Sequence, residues 1–198
     1  VKNVYPTGQY YIASLHTALT CRGLKTSMVD FYFGGSTLEM LASRNISDDA
    51  KYLVALVPGT EIVSVVKHKE YIQNYSDFGF QFERFATGKS FRDKHDTSVV
   101  EHLQLLEIDG HRVFFAAEAD AMDSGGDHVE IKASNPRYWG TKVMFQMVSN
   151  GSLTLCFGDK YRGALEKVKL LTLVEVANTA LACENIAVLE RNICSALE

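Results

Sequence analysis

The sequence predicts an α+β protein whose central β-sheet, mostly antiparallel or mixed, is flanked by helices. Apolar residues recur at helical spacing near both ends of the chain, and short β-branched runs separated by turn signals fill its middle. The length of 198 residues fits one domain over residues 1–198 with a substantial core. Because the chain does not begin with Met, we expect it to be a trimmed or loop-deleted form of a longer protein.

Helical and extended segments alternate in the first half of the chain. Ser36 precedes an apolar run, as a helix N-cap does. Phe78, Phe82 and Phe85 fall on one helical face, and Gly88 is a stop signal. The predicted elements are helices at 10–20, 36–45 and 78–87, a short strand or turn within 26–35, and two strands joined by a Pro-Gly turn within 51–68.

Strands dominate the second half until the C-terminal helices. Two apolar runs surround Asp109-Gly110 and predict a β-hairpin, because Asp-Gly is a strong signal for a two-residue turn. The predicted elements are this hairpin over 103–123, strands at 128–134, 142–149 and 151–158, and mainly helix from residue 164 onwards, clearest at 184–197.

Composition and charge narrow the functional classes. The formal net charge is −4, so the strongly basic balance of many nucleic-acid-binding domains is absent, although a local basic groove or bound metal ions could supply positive charge. The four cysteines form no CxxC pair, which is typical of reduced thiols in an intracellular protein. No run approaches the roughly 18 apolar residues that span a membrane, so we expect no membrane association. The first residues lack a signal-peptide pattern.

Acidic residues concentrate in the stretch EADAMDSGGDHVEIK. Side chains on a strand alternate between faces, so Glu118 and Asp120 share one face, and Glu130 and Lys132 share one face of the next strand. The Gly-Gly turn within 124–127 suits a hairpin between these strands. Closing that hairpin would bring the four charged side chains onto one patch.

Three carboxylates in one patch repel each other, and one lysine cannot neutralise them. Hard oxygen ligands on rigid strands suit Mg²⁺ or Mn²⁺, and two such ions roughly 4 Å apart can activate water and stabilise the leaving oxygen of a phosphodiester. Lys132 would then orient the nucleophile or neutralise the phosphate. The alternative is a solvated sheet face with ordinary cross-strand Glu–Lys pairs, and spacing alone leaves both possibilities open.

Five short motifs follow one another along the chain. They are R-G-x-x-T at 22–26, G-x-x-F-E at 79–83, E-x-D at 118–120, E-x-K at 130–132 and K-x-x-x-Q-x-x-x-x-G at 142–151. Over residues 20 to 160, this series resembles the DXO family of RNA 5′-end decapping enzymes and 5′–3′ exoribonucleases. An E-x-D strand followed by an E-x-K strand is also the arrangement of PD-(D/E)XK nucleases, so the resemblance implies an active-site core of that kind.

The resemblance implies a role for each matching residue. Lys132 and Gln146 would contact the scissile phosphate or the attacking water. Arg22, with Gly23 beside it, would hold the 5′ end or phosphates of the substrate. The metal ligands would be Glu83, Glu118, Asp120, Glu130 and the backbone carbonyl of Ile131.

The implied reaction is metal-dependent hydrolysis at RNA 5′ ends, with two Mg²⁺ or Mn²⁺ ions as cofactor. It would remove incomplete caps, NAD caps or pyrophosphate from 5′-triphosphates, and continue as 5′–3′ exonuclease activity. The resemblance further implies a location in the nucleus or cytoplasm, RNA 5′ ends as substrate and an exoribonuclease as a possible protein partner.

The chain departs from the family pattern at several places. Cys21 stands where the family usually has Trp, and Val143, Met144 and Phe145 stand between Lys142 and Gln146, where the family often has aromatic residues. The part before Arg22 is short. These departures keep open a catalytically weak member that binds RNA 5′ ends or a partner exoribonuclease as a scaffold. A DNA nuclease is a third reading, because no residue reports the sugar.

Overall fold

A computed structural model describes the chain over residues 9–21, 23–43, 51–68, 78–88, 100–133, 141–161, 164–181 and 186–198. The helices in these residues are α1 (Gln9–Cys21), α2 (Thr37–Ser43), α3 (Phe78–Ala86), α4 (Lys142–Asn150), α5 (Leu173–Leu181) and α6 (Ile186–Leu197), with a 3₁₀ turn at Thr26–Met28. The strands are β1 (Phe31–Gly34), β2 (Lys51–Leu56), β3 (Val63–His68), β4 (Val100–Ile108), β5 (His111–Ala119), β6 (Ala121–Met122), β7 (His128–Lys132), β8 (Thr154–Tyr161) and β9 (Ala164–Thr172).

Five strands form the first sheet, in the order β2-β3-β1-β5-β4. The central strand β1 runs parallel to β3 and β5, whereas β2–β3 and β4–β5 are antiparallel hairpins. Asp109 and Gly110 join β4 to β5 with φ of 50° and 77°. Two consecutive positive φ values are what a type I′ hairpin turn requires, and they confirm the hairpin predicted from Asp-Gly.

Four strands form the second sheet, in the order β6-β7-β8-β9. β7 runs parallel to β8, and the other pairs are antiparallel. A tight turn joins β6 to β7, in which Asp123 Oδ1 accepts the backbone N–H groups of Gly125 (2.8 Å) and Asp127 (3.0 Å). The strand that pairs with β7 in this hairpin is therefore β6. The predicted pairing of the Glu118 strand with the Glu130 strand is wrong, because the chain leaves the first sheet at Asp120.

Helices cover both faces of the first sheet. On one face, Tyr32 and Phe114 pack with Leu15 of α1. On the other face, Phe33 and Phe115 pack with residues of α2, α4 and α6. This architecture confirms the predicted α+β class with helices flanking mixed strands, and it divides the strands between two mixed sheets. In the described part of the chain, no helix combines the length and apolar character needed to cross a membrane.

Two elements differ from the predictions. Residues 142–149, predicted as a strand, belong to α4, which ends at Gly151 in the left-handed conformation (φ 69°). The segment 164–172, predicted as helix, is β9 and pairs antiparallel with β8. In both cases packing between the sheets overrides local pattern, since short apolar runs suit either structure.

Candidate active site

Glu83 lies on α3, which rests on the second sheet. Phe82 is buried, and its ring lies where a side chain on Gly158 of β8 would have to be, only 2.8 Å from the position of that missing Cβ. Glycine at 158 therefore lets the helix approach the strand closely. The neighbouring Glu83 is consequently directed towards β7 and the end of β5. Phe85, predicted to share the buried face, is 63% exposed.

Glu118 and Asp120 lie where the chain passes from the first sheet to the second. Glu118 is the penultimate residue of β5 and has an exposed side chain, and Asp120 follows the strand in a bend. Sequence reasoning missed Glu101, which lies directly opposite Glu118 in the β4–β5 ladder. Directly opposed residues point to the same face of a sheet, so Glu101 adds a further carboxylate at this end.

The strand β7 carries Glu130, Ile131 and Lys132. The backbone N–H of Ile131 donates to Asp120 Oδ2 at 2.8 Å, which ties the bend after β5 to β7. Lys132 Nζ forms an ion pair with Glu130 Oε1 and lies 3.4 Å from Asp120 Oδ2. Glu130 is 3% exposed and Lys132 is 25% exposed. The lysine ammonium thus lies between two carboxylates contributed by different segments.

The electrostatics of Glu83 show that the carboxylates act on one another. Burial raises the pKa of Glu83 to about 7, and the negative charge of Asp120 adds to this rise. Glu118 and Glu130 raise the pKa of Glu83 further, whereas Lys132 lowers it. The structure therefore brings these five predicted site residues, drawn from α3, β5, the bend and β7, within range of one another's charge.

Glu130 is buried and forms an ion pair with the partly exposed Lys132. Burial raises the pKa of Glu130 above its ordinary value, although Lys132 and a hydrogen bond from Asn150 oppose the rise. For Lys132, burial alone would lower the pKa, but the charges of Glu130 and Asp120 outweigh burial and raise it. Lys132 is consequently held as an ammonium ion beside the carboxylates.

The predicted site residue Gln146 lies on α4, one helical turn before Asn150. Residues four apart share a helix face. Asn150 Nδ2 donates to Glu130 Oε2, so this face of α4 borders the carboxylates. Gln146 Oε1 is buried without a hydrogen-bond partner. A buried orphan acceptor is rare, and it is satisfied when a water or another donor enters the site.

Arg22 lies outside the described residues. Gly23 is described, with an exposed position and φ of 69°, a conformation that favours glycine. A groove of about 630 Å³ contains Gly23 and Leu24 at one side and Glu101 and His128 at another. Through Glu101 the groove reaches the end of the β4–β5 ladder that carries Glu118.

The donor set fits a hard divalent cation in its chemistry. The side chains are carboxylates, and the pKa of Glu83 is raised first by burial and then by the neighbouring carboxylate of Asp120. Gln146 Oε1 is a further oxygen acceptor on the adjoining face of α4, buried without a hydrogen-bond partner. As placed, no three Asp, Glu, His or Cys side chains of the described residues are gathered closely enough to hold a metal ion. The ligand assignment therefore stays a prediction.

Comparisons with known proteins identify the fold. No protein-family model matches the chain, and no curated protein sequence matches it. Rai1 of S. pombe, solved in complex with 3′-FADP, is similar at a TM-score of 0.69 and 16% identity over 99% of this chain and 69% of that one. Candida albicans Rai1, solved with pU5 and Mn²⁺, gives a TM-score of 0.66 and 13% identity over 98% and 66% of the two chains.

Dxo1 of K. lactis, solved in complex with manganese, has a TM-score of 0.59 and 14% identity, over 96% of this chain and 59% of that one. The chain thus spans about two thirds of the length of the Rai1 structures and less of Dxo1. At these identities the likeness shows the fold. It confirms, at the level of the fold alone, the resemblance to the DXO family.

Proposed function

We propose that the chain is a divalent-metal-dependent hydrolase that acts on RNA 5′ ends. The observation that carries the proposal is a cluster of charged side chains on the fold of Rai1 and Dxo1. Lys132 contacts the carboxylates of Asp120 and Glu130, and Glu83 lies within range of their charges. Structures with this fold hold pU5 with Mn²⁺, manganese and 3′-FADP. A carboxylate site on that fold is the arrangement expected for a phosphorus-ester hydrolase.

The carboxylates would hold the cations. Glu83, Glu118, Asp120 and Glu130 are the side chains proposed for this, together with the backbone carbonyl of Ile131. Divalent cations at such a site lower the pKa of a bound water and offset negative charge on the phosphate. The Ile131 N–H bond to Asp120 Oδ2 and the Asn150 bond to Glu130 Oε2 fix the orientation of two of these carboxylates before substrate binds.

The remaining polar residues would act on the substrate. Lys132 stays protonated beside Glu130 and Asp120, so its ammonium can donate hydrogen bonds to a phosphate oxygen when the phosphate displaces part of that ion pair. The unpartnered Gln146 Oε1 can accept a hydrogen bond from a water and orient it. Arg22 and Gly23 are proposed to hold the 5′ phosphates.

The proposed substrates are incomplete caps, NAD caps and 5′-triphosphates, with 5′–3′ degradation of the RNA that remains. The decisive test incubates the protein with Mn²⁺ and RNAs bearing a 5′-monophosphate, a triphosphate, an unmethylated cap or NAD. A Glu118→Ala, Asp120→Ala double variant serves as the matched control. We expect turnover of at least one RNA by the wild type and none by the variant.

A scaffold that binds RNA 5′ ends, or a partner exoribonuclease, without hydrolysing RNA is the second candidate. It is favoured by the absence, among the described residues, of three metal-binding side chains at ligand distance. Binding of the RNAs without turnover would support it and overturn the hydrolase. Equal turnover by the wild type and the double variant would instead overturn the assignment of the site.

A further inference from the structure

Asn150 occupies the junction between the two sheets. It is the last residue of α4 and is 2% exposed. Its Nδ2 donates to Glu130 Oε2 at 2.5 Å and to the backbone carbonyl of Glu118 at 3.2 Å, and its Oδ1 accepts the N–H of Ser152 at 3.1 Å. Each end of the amide meets a partner of the opposite polarity, so the orientation of the side chain is determined.

These contacts connect strands that are not paired with each other. Glu118 lies on β5 of the first sheet and Glu130 on β7 of the second, and the ladders of the described strands do not join β5 to β7. A single nitrogen of Asn150 reaches both. Together with the bond between Ile131 N–H and Asp120, it holds the two halves of the carboxylate site in register.

We propose that Asn150 is the positioning residue for Glu130, and this inference rests on the proposed function. By holding Oε2, Asn150 leaves Oε1 directed towards Lys132 and the centre of the site. Position 150 falls among the unspecified residues of the motif K-x-x-x-Q-x-x-x-x-G. Without the amide, Oε2 would be buried with no donor, and the carboxylate would turn away to recover one.

Two variants separate positioning of Glu130 from support of the turn. Asn150→Ser keeps an oxygen that can accept the Ser152 N–H across two residues, but its side chain is too short to reach Glu130. Asn150→Leu removes both functions at similar size. Ser152→Ala is the control, because it removes a buried hydroxyl that has no partner and leaves the three bonds of Asn150 in place.

The measurements are Mn²⁺ affinity by calorimetry, the melting temperature of the metal-free protein, and kcat and KM on a 5′-monophosphorylated oligoribonucleotide. Loss of a partner behind a metal ligand weakens affinity about 10- to 100-fold. We expect that loss for Asn150→Ser and Asn150→Leu. For Asn150→Ser, KM should match the wild type, excess Mn²⁺ should restore kcat, and the melting temperature should fall less than for Asn150→Leu. Ser152→Ala should bind Mn²⁺ as the wild type does.

Three results would overturn the role of Asn150, and they differ in what they imply. If the wild type binds Mn²⁺ and hydrolyses RNA, and Asn150→Ser binds Mn²⁺ equally well, Asn150 supports only the turn. If the wild type neither binds Mn²⁺ nor hydrolyses any RNA, the proposed function fails and the role of Asn150 fails with it. Weak Mn²⁺ binding by Ser152→Ala would also overturn it, since packing alone would then explain the effect.

Discussion

The two sheets of this molecule differ in the side chains that their strands bury. In the first sheet, β5 is buried over five consecutive residues, 113–117, all of them apolar. In the second sheet, β8 also buries Leu155 and Phe157, but β7 buries Glu130 beside the partly exposed Lys132, and β9 leaves Leu170 70% exposed. Burial of apolar side chains stabilises the folded state, whereas burial of charged side chains destabilises it. The first sheet therefore serves as the platform on which the second can hold its charged residues.

The largest expected effect comes from opening a cavity in the first sheet. Phe115 is fully buried, so Phe115→Ala should lower the free energy of unfolding by about 3–5 kcal/mol. Phe85→Ala, at an exposed position on α3, is the matched control and should change it by less than about 0.5 kcal/mol. Urea denaturation measures both. Similar losses of unfolding free energy for the two variants would contradict the expected difference between the buried Phe115 and the exposed Phe85.

A smaller loss of unfolding free energy is expected from removing the positive charge of Lys132 in the second sheet. Lys132→Met leaves Glu130 buried without its partner, which should cost about 3 kcal/mol of unfolding free energy in metal-free protein. Adding Mn²⁺ should recover part of the loss, because a ligand that binds the folded state stabilises it. Lys169→Met on the exposed strand β9 is the control. An unchanged Lys132→Met variant would mean that Glu130 does not need a positive neighbour.

Substitution of Arg84 should raise the stability of the folded protein instead of lowering it. Arg84 is 7% exposed, and its Nε and Nη2 atoms have no hydrogen-bond partner, although the guanidinium lies 5.5 Å from the centre of the Phe80 ring. Arg84→Met removes a buried charge and keeps the apolar stem, so the protein should gain about 1 kcal/mol, or about 2–4 °C in melting temperature. A fall in melting temperature on differential scanning calorimetry would show that the charge has a partner in solution.

The smallest effect belongs to a surface ion pair where the interior strands β1 and β5 of the first sheet begin. Arg112 donates to Asp30 from its side chain and its backbone N–H, and these bonds lower the pKa of Asp30. A lowered carboxyl pKa adds stability above the unfolded value and loses it as the pH falls through the folded value. Asp30→Asn should therefore be slightly less stable than the wild type near neutral pH, and the two melting curves should converge in acid. A gap that stays constant as the pH falls through and below the ordinary range of an aspartate pKa would contradict this.

Turn residues predicted the hairpin of the first sheet, whereas the spacing of apolar residues in α4 was misleading. The Asp109-Gly110 hairpin followed from turn chemistry. In α4, Val143, Phe145 and Met147 alternate like strand residues, because the helix packs against both sheets and its apolar side is correspondingly broad. Gly151 was the available signal, since a left-handed glycine commonly ends a helix.

The sequence predicted which residues would form the candidate site, but it did not predict how the chain runs between them. Strand alternation grouped Glu118 with Asp120 and Glu130 with Lys132, but it gave no sign that the chain changes sheets at Asp120. Asn150 was missed because its spacing of four from Gln146 has meaning only on a helix. The roles of these residues, the single domain and the cellular location stay predictions.

The most direct test of the account is to locate the cation. Crystals of the protein soaked in Mn²⁺ and measured at a wavelength where manganese scatters anomalously would report its position independently of any activity. We predict anomalous peaks bounded by Glu83, Asp120 and Glu130, with Lys132 Nζ displaced from its carboxylate partners. An anomalous map without a peak there, and with Lys132 still paired to Glu130, would contradict the claim that these carboxylates form a metal-dependent centre.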